Sequence, residues 1–242
     1  MELKQDTTTA PLAVFSAVTS VYYVCAGVAV HLLNPAFSPV RNYISDYAVG
    51  SYGFVYTSAY WATFLGTLAL SVALFRQLRP SVGGRIGALL IAVFGVTYAL
   101  TAIFPTELLK PGEFPHGAAG AIHAIAALVG WIAIFTAALL VARAYSAEDT
   151  SVLNRAAGPL RVLGWLLIVA FVGVIGVMAS RQPVAGLAEK IFIALREIWL
   201  IAAAIALARA AGGSDSSEAI PQAESQTAGT ADLGSMDQHR RT

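Results

Sequence analysis

The chain has 242 residues, of which 57% are hydrophobic and only 12% charged, and its formal net charge is +1. Mean hydropathy is +0.68. A soluble domain carries roughly 25% charged residues, and a water-soluble globule of this length has no core large enough to hide so much apolar surface, so the excess must face lipid. The near-zero charge excludes nucleic acid as an expected partner and gives no argument for an acidic substrate.

A helix that crosses a bilayer needs about 20 mostly apolar residues. Residues 1–11 read as a short N-terminal segment. Residues 12–33 follow without a single Asp, Glu, Lys or Arg. This run exceeds the apolar stretch of a secretory signal and its flank is not clearly basic, so it reads as a retained span. The lone cysteine, Cys25, lies within it and is expected to be a small buried hydrophobe, with no internal disulfide available. Further spans are expected at 52–75, 86–104, 117–142 and 162–180. A sixth, at 187–208, is apolar but carries Glu189, Lys190, Arg196 and Glu197. The six-helix membrane domain therefore covers 12–209. Residues 210–242 turn to Gly, Ser, Ala, Gln and Asp and read as a disordered tail. No internal repeat and no soluble insert is visible. Gly83, Gly87, Gly95, Gly120, Gly130, Gly173 and Gly176 are expected to let helix backbones approach closely.

Six spans place both termini on one side. That side holds Arg76, Arg79, Arg85, Arg143, Arg155, Arg161 and Arg209, whereas the other holds Arg41, Lys110, Arg181 and Lys190. Short loops richer in Lys and Arg stay cytoplasmic. Both termini are thus expected in the cytoplasm, with the connections 34–51, 105–116 and 181–186 together on the outer face.

Those outer connections concentrate the polar residues. Asn42 to Gly53 contains Ser45, Asp46, Tyr43, Tyr47 and Tyr52. The tyrosines fit an aromatic belt, and Ser45 or Asp46 fits a cap on the second span. The next connection contains Thr106 and Glu107 and ends at His116, with His123 seven residues later. Two helical turns would put both imidazoles on one helix face, roughly 10 Å apart, too far to ligate one ion. Carboxylate plus imidazole at one cleft suits general acid–base work or a metal-bound water, and equally a hydrogen-bonded cluster that holds loops together. No zinc spacing such as His-x3-His or a Cys pair occurs, so no metal site is expected, and the residues leave any cofactor unknown. Arg196 and Glu197 lie roughly 14 Å deep in the sixth span at 1.5 Å per residue. A mid-bilayer charge costs at least ~2.5–3.5 kcal/mol, so both must face the bundle interior or find partners. Neighbours on a helix point about 100° apart, which disfavours a direct Arg196–Glu197 pair, and Tyr60, Tyr98 and His123 are the candidate partners. Glu189 and Lys190 are expected to snorkel to water. His31 caps or snorkels.

The segment Ile44-Ser45-Asp46-Tyr47-Ala48, with Gly50 and Tyr52-Gly53, precedes Phe104-Pro105-Thr106 and a histidine at the fourth span. Gly186-Leu187-x-Glu189-Lys190 opens the last span, with Trp199 further on. In this order the motifs resemble the bacterial and archaeal domain-of-unknown-function family 998 over residues 14–209. Glu107 stands where that family usually has Asp, Lys190 matches its basic residue, and either His116 or His123 is the counterpart of its histidine. The Ile-Ser-Asp element is also remotely similar to the eukaryotic Frag, DRAM and Sfk family, some of whose members are associated with lipid or GPI-anchor handling. The resemblance implies six helices in a bacterial or archaeal cytoplasmic membrane and no established activity.

The residues support three readings. One is a non-catalytic envelope or lipid-associated protein whose partners are the bilayer and a lipid ligand. Another is a membrane-embedded hydrolase or lipid-modifying enzyme using Ser45, Asp46, Glu107 and His116 or His123, with Tyr47, Tyr52 and Thr106 in binding roles. The third is a small-solute or proton-coupled transporter using Arg196 and Glu197.

Overall fold

The computed structural model describes residues 8–109, 113 and 115–218, with side chains to residue 212. All regular structure among them is helical: α1 (Thr9–Leu33), a short 3-10 helix (Ile44–Ala48), α2 (Gly53–Gln77), α3 (Val82–Ile103), α4 (Ala118–Ser146), α5 (Ser151–Ala179) and α6 (Ala185–Glu218). Six of these helices are long and apolar enough to cross a membrane. Each packs against its neighbours in chain order, and α6 closes back on α1, so the bundle is a ring.

The helices outrun the apolar stretches at several ends. Helix α3 starts at Val82, not at 86, because Ser81 caps it: its hydroxyl accepts from Gly84 N at 3.1 Å. Helix α5 starts at Ser151 and runs through Pro159, eleven residues before the apolar run expected at 162. The added turns carry Asn154, Arg155 and Arg161, so polarity ended the apolar run without ending the helix. Helix α6 continues to Glu218, into the stretch expected to be disordered. The rest of that expected tail lies outside the described residues.

Lipid as solvent explains which face of each helix turns inward. Apolar side chains gain little by leaving lipid, so close packing and polar contacts select the interior face. On α1 the buried positions are small or polar (Ala13, Ser16, Thr19, Ser20, Ala26) apart from Tyr23 and Val30, while Val14, Val18, Val21, Val28 and Leu32 are exposed. Cys25 falls on the exposed face, correcting the expectation of a buried thiol. The glycines divide as well. A Cβ on Gly95 would strike Thr67, and one on Gly130 would strike Thr97, so these positions let helices meet. Around Gly173 and Gly176 a Cβ would meet nothing within 4 Å, so their expected packing role within the bundle is not found.

At the end of the bundle where α1 finishes, the α1–α2 connection docks on the start of α6. Leu187 N donates to the Val40 carbonyl at 2.9 Å. Ile44 N donates to Glu189 Oε2 at 2.7 Å, and Lys190 Nζ donates to the Asn42 carbonyl at 2.5 Å. Gly186 makes this contact sterically feasible, since any Cβ there would run into the Asn42 carbonyl.

Candidate functional site

A cavity of about 470 Å³ lies at that end of the bundle. One face of α4 forms its wall: His123, Ala127 and Trp131 recur at helical spacing, with Ala124 and Leu128 beside them. Ile175, Met178 and Ala179 near the end of α5 form the facing wall, and Glu189 enters from α6. The rim comes from the connections, with Tyr43 and Ser45 on one side and Thr106, Glu107 and Glu113 on the other. A second void of about 30 Å³ shares Ser45, His123, Trp131 and Glu189 with the first and reaches Tyr60 and Tyr98. It is large enough for one water-sized molecule.

The local chain chemistry places each polar group. Glu107 latches the start of α4, its two carboxylate oxygens accepting from His116 N at 2.9 Å and Gly117 N at 2.7 Å. These two amide bonds hold its carboxyl below the usual carboxylate range. Buried His123 bonds through Nδ1 to the Phe104 carbonyl at 2.9 Å. A carbonyl only accepts, so in the neutral ring Nδ1 carries the hydrogen and Nε2 is left as an acceptor. Buried Glu189 spends Oε2 on Ile44 N, while its other oxygen has no hydrogen-bond partner among the described residues.

Several expected site residues lie elsewhere. Asp46 is buried but does not line the cavity. Its Oδ2 accepts from Asn42 Nδ2 and Tyr43 N, each at 3.0 Å, closing the 3-10 helix rather than capping α2. Burial pushes its carboxyl up, against the pull of those two bonds and Lys190. Neither imidazole hydrogen-bonds Asp46 among the described residues, so the carboxylate–imidazole pair of the enzyme reading is not formed. His116 precedes α4 and is exposed, so it does not share a helix face with His123. Tyr47 is fully buried between His31 and Phe37, with ring centroids 4.3 and 5.2 Å away, so it does not sit in a headgroup belt. Tyr52 is exposed at the start of α2 and, like Tyr47, does not line the cavity. Among the described residues no three His, Cys, Asp or Glu side chains group as a metal site.

The deep charges form a separate cluster. Arg196 Nε donates to Glu197 Oε1 at 2.9 Å, and Arg196 also bonds the Tyr98 hydroxyl. The expected objection to a direct pair fails because a long guanidinium side chain folds back across the 100° between adjacent Cβ atoms. Tyr98 is the partner found, whereas Tyr60 and His123 do not bond Arg196. The rings of Tyr23, Phe94 and Tyr98 lie 4.8, 5.3 and 5.1 Å from its guanidinium carbon.

Of the expected residues, Ser45, Thr106, Glu107 and His123 thus meet at one cavity. Trp131, Tyr43 and Glu189 were missed. Glu189 had a readable signal, an ionisable side chain within an apolar span, but its nearness to the helix end invited the snorkelling assignment.

Taken together, these features define a multi-pass membrane protein of six helices with a polar-rimmed apolar cavity at its loop end. Residues 17–206 match the model of the family described as Protein of unknown function (DUF998), and the chain belongs to that family. No curated protein and no solved structure matched it.

Proposed function

We propose that this protein binds a single lipid-like amphiphile at the outer face of a cell membrane and acts without catalysis. The observation that carries the reading is the cavity itself. Its volume of about 470 Å³ falls in the range of small-molecule sites, roughly 300–1,000 Å³, which typically combine an apolar lining with a few placed polar groups. Leu128, Trp131, Ile175 and Met178 suit a hydrocarbon portion, while Ser45, His123 and Glu189 suit a polar head. The outer placement rests on Arg76, Arg79, Arg85, Arg143, Arg155 and Arg161, which lie at the opposite end.

The test is amphiphile binding by the purified full chain and by Ala124→Trp. Position 124 lies on the cavity wall and is exposed, so the indole fills space without displacing packed side chains. Binding by the wild type and its loss in the variant are expected. Equal binding by both would refute the reading.

The hydrolase alternative keeps one supporting observation, that Ser45 and His123 line the same cavity. Hydrolysis of an ester amphiphile by the wild type, abolished by Ser45→Ala with binding intact, would establish it in place of the non-catalytic role.

A further inference from the structure

The polar groups at the cavity differ in what they have left to offer a ligand. Both oxygens of Glu107 already hold backbone amides at the start of α4. That helix N-terminus is where an anionic head would otherwise be held, because its free N–H groups and dipole favour negative charge. A carboxylate of the chain itself occupies it.

The remaining groups accept rather than donate. Glu189 is 6% exposed, and its exposed part lines the cavity. One of its oxygens is tied to Ile44 N and the other has no partner among the described residues. In the neutral ring, Nε2 of His123 is a bare acceptor, since Nδ1–H is committed to the Phe104 carbonyl. The acidic side chains lining the cavity among the described residues are Glu107, Glu113 and Glu189, and no Lys or Arg lines it among them. Two cations of the same helix as Glu189 are engaged within the protein. Lys190 Nζ donates to the Asn42 and Gly186 carbonyls at 2.5 and 3.3 Å, and Arg196 holds Glu197 and Tyr98. Trp131 adds an aromatic ring to the wall, the side chain best suited to lie against a cation.

We infer that the cavity selects an amphiphile whose head is a primary ammonium, paired with the open Glu189 oxygen and His123 Nε2, over one with a phosphate head. This inference rests on the amphiphile-binding reading above and specifies its ligand class. A buried carboxylate with an unfilled acceptor position is costly to leave bare, and an ammonium group supplies both charge and N–H donors.

The experiment compares decylammonium, decyl glucoside and decyl phosphate, all with the same chain. Each is titrated into the full-length protein in zwitterionic-lipid nanodiscs, with Ala124→Trp nanodiscs subtracting partition into the bilayer. Decylammonium is expected to bind at least ~10-fold tighter than decyl phosphate, a difference of about 1.4 kcal/mol. Glu189→Gln should reduce that preference to within roughly threefold. The glutamine carbonyl still accepts from Ile44 N, so the loop tether survives, and the wild-type series decides the question even if the variant does not fold. Equal cavity binding of all three, or preference for phosphate, overturns the inference and leaves the amphiphile reading standing. Signals unchanged by Ala124→Trp overturn that reading itself.

Discussion

Arg196→Met is the most informative perturbation of the bundle interior. Arg196 is fully buried, and Glu197 is 1% exposed. Removing the guanidinium strands a carboxylate whose only hydrogen-bond partner among the described residues was Arg196, and Oε2 already lacks one. Breaking a buried ion pair from one side costs about 3–5 kcal/mol, because the other charge stays buried. Glu197→Leu should cost less. The stranded guanidinium keeps the Tyr98 hydroxyl and three ring faces, and each cation–ring contact contributes roughly 0.5–2 kcal/mol. The double variant Arg196→Met/Glu197→Leu removes both charges and fills similar volume, so it should be more stable than Arg196→Met alone. The cycle is read from reversible unfolding in mixed micelles, by far-ultraviolet circular dichroism and tryptophan emission. A coupling of about 3 kcal/mol is expected, reduced somewhat because helices in the unfolded state remain in the micelle. Additivity within ~0.5 kcal/mol would refute the claim that the two charges exist inside the bundle by virtue of each other.

Gly130→Ala should destabilise the bundle by about 1–3 kcal/mol, because the new methyl strikes Thr97. Gly173→Ala, with nothing within 4 Å, should stay within roughly 0.5 kcal/mol in the same unfolding assay. The two connection carboxylates should respond oppositely to pH. Asp46 is raised in the folded chain, so its penalty grows as pH climbs above the ordinary aspartate value of about 3.9, and Asp46→Asn should flatten that decline. Glu107 is lowered, so its support is present above the ordinary glutamate value of about 4.3 and fades as pH falls through it, and Glu107→Gln should remove that acid sensitivity. Thermal unfolding across pH 3 to 7 checks both signs. In a Cys25→Ser background, Ala36→Cys should react with an impermeant maleimide in intact cells and Val82→Cys should not. The reverse labelling would overturn the orientation proposed from the arginine-rich loops.

The span count was legible because 20-residue apolar runs carry a large, additive signal, whereas the helix ends were not. Helix α5 gains its first eleven residues from backbone hydrogen bonding that hydropathy does not register. Seven-residue spacing placed His116 and His123 on one face only on the assumption that the helix began before His116. Glu107 instead caps the chain after it, and α4 starts at Ala118. The opposite error concerns Arg196 and Glu197, where Cβ directions ruled out a pair that side-chain length permits. What no local pattern could show is that the two motif clusters, 44–48 and 186–190, touch. Gly186 lets the Asn42 carbonyl approach, Lys190 donates to that carbonyl, and Glu189 accepts from the Ile44 amide. The docking explains why a glycine, a carboxylate and a lysine occur together at the start of an apolar helix. It also explains why the carboxylate matters beyond the docking. Ile44 N engages one Glu189 oxygen, the other has no hydrogen-bond partner among the described residues, and the residue lines the cavity. A residue read as snorkelling from its position is therefore the one group that both anchors the loop and presents an unfilled acceptor to the site.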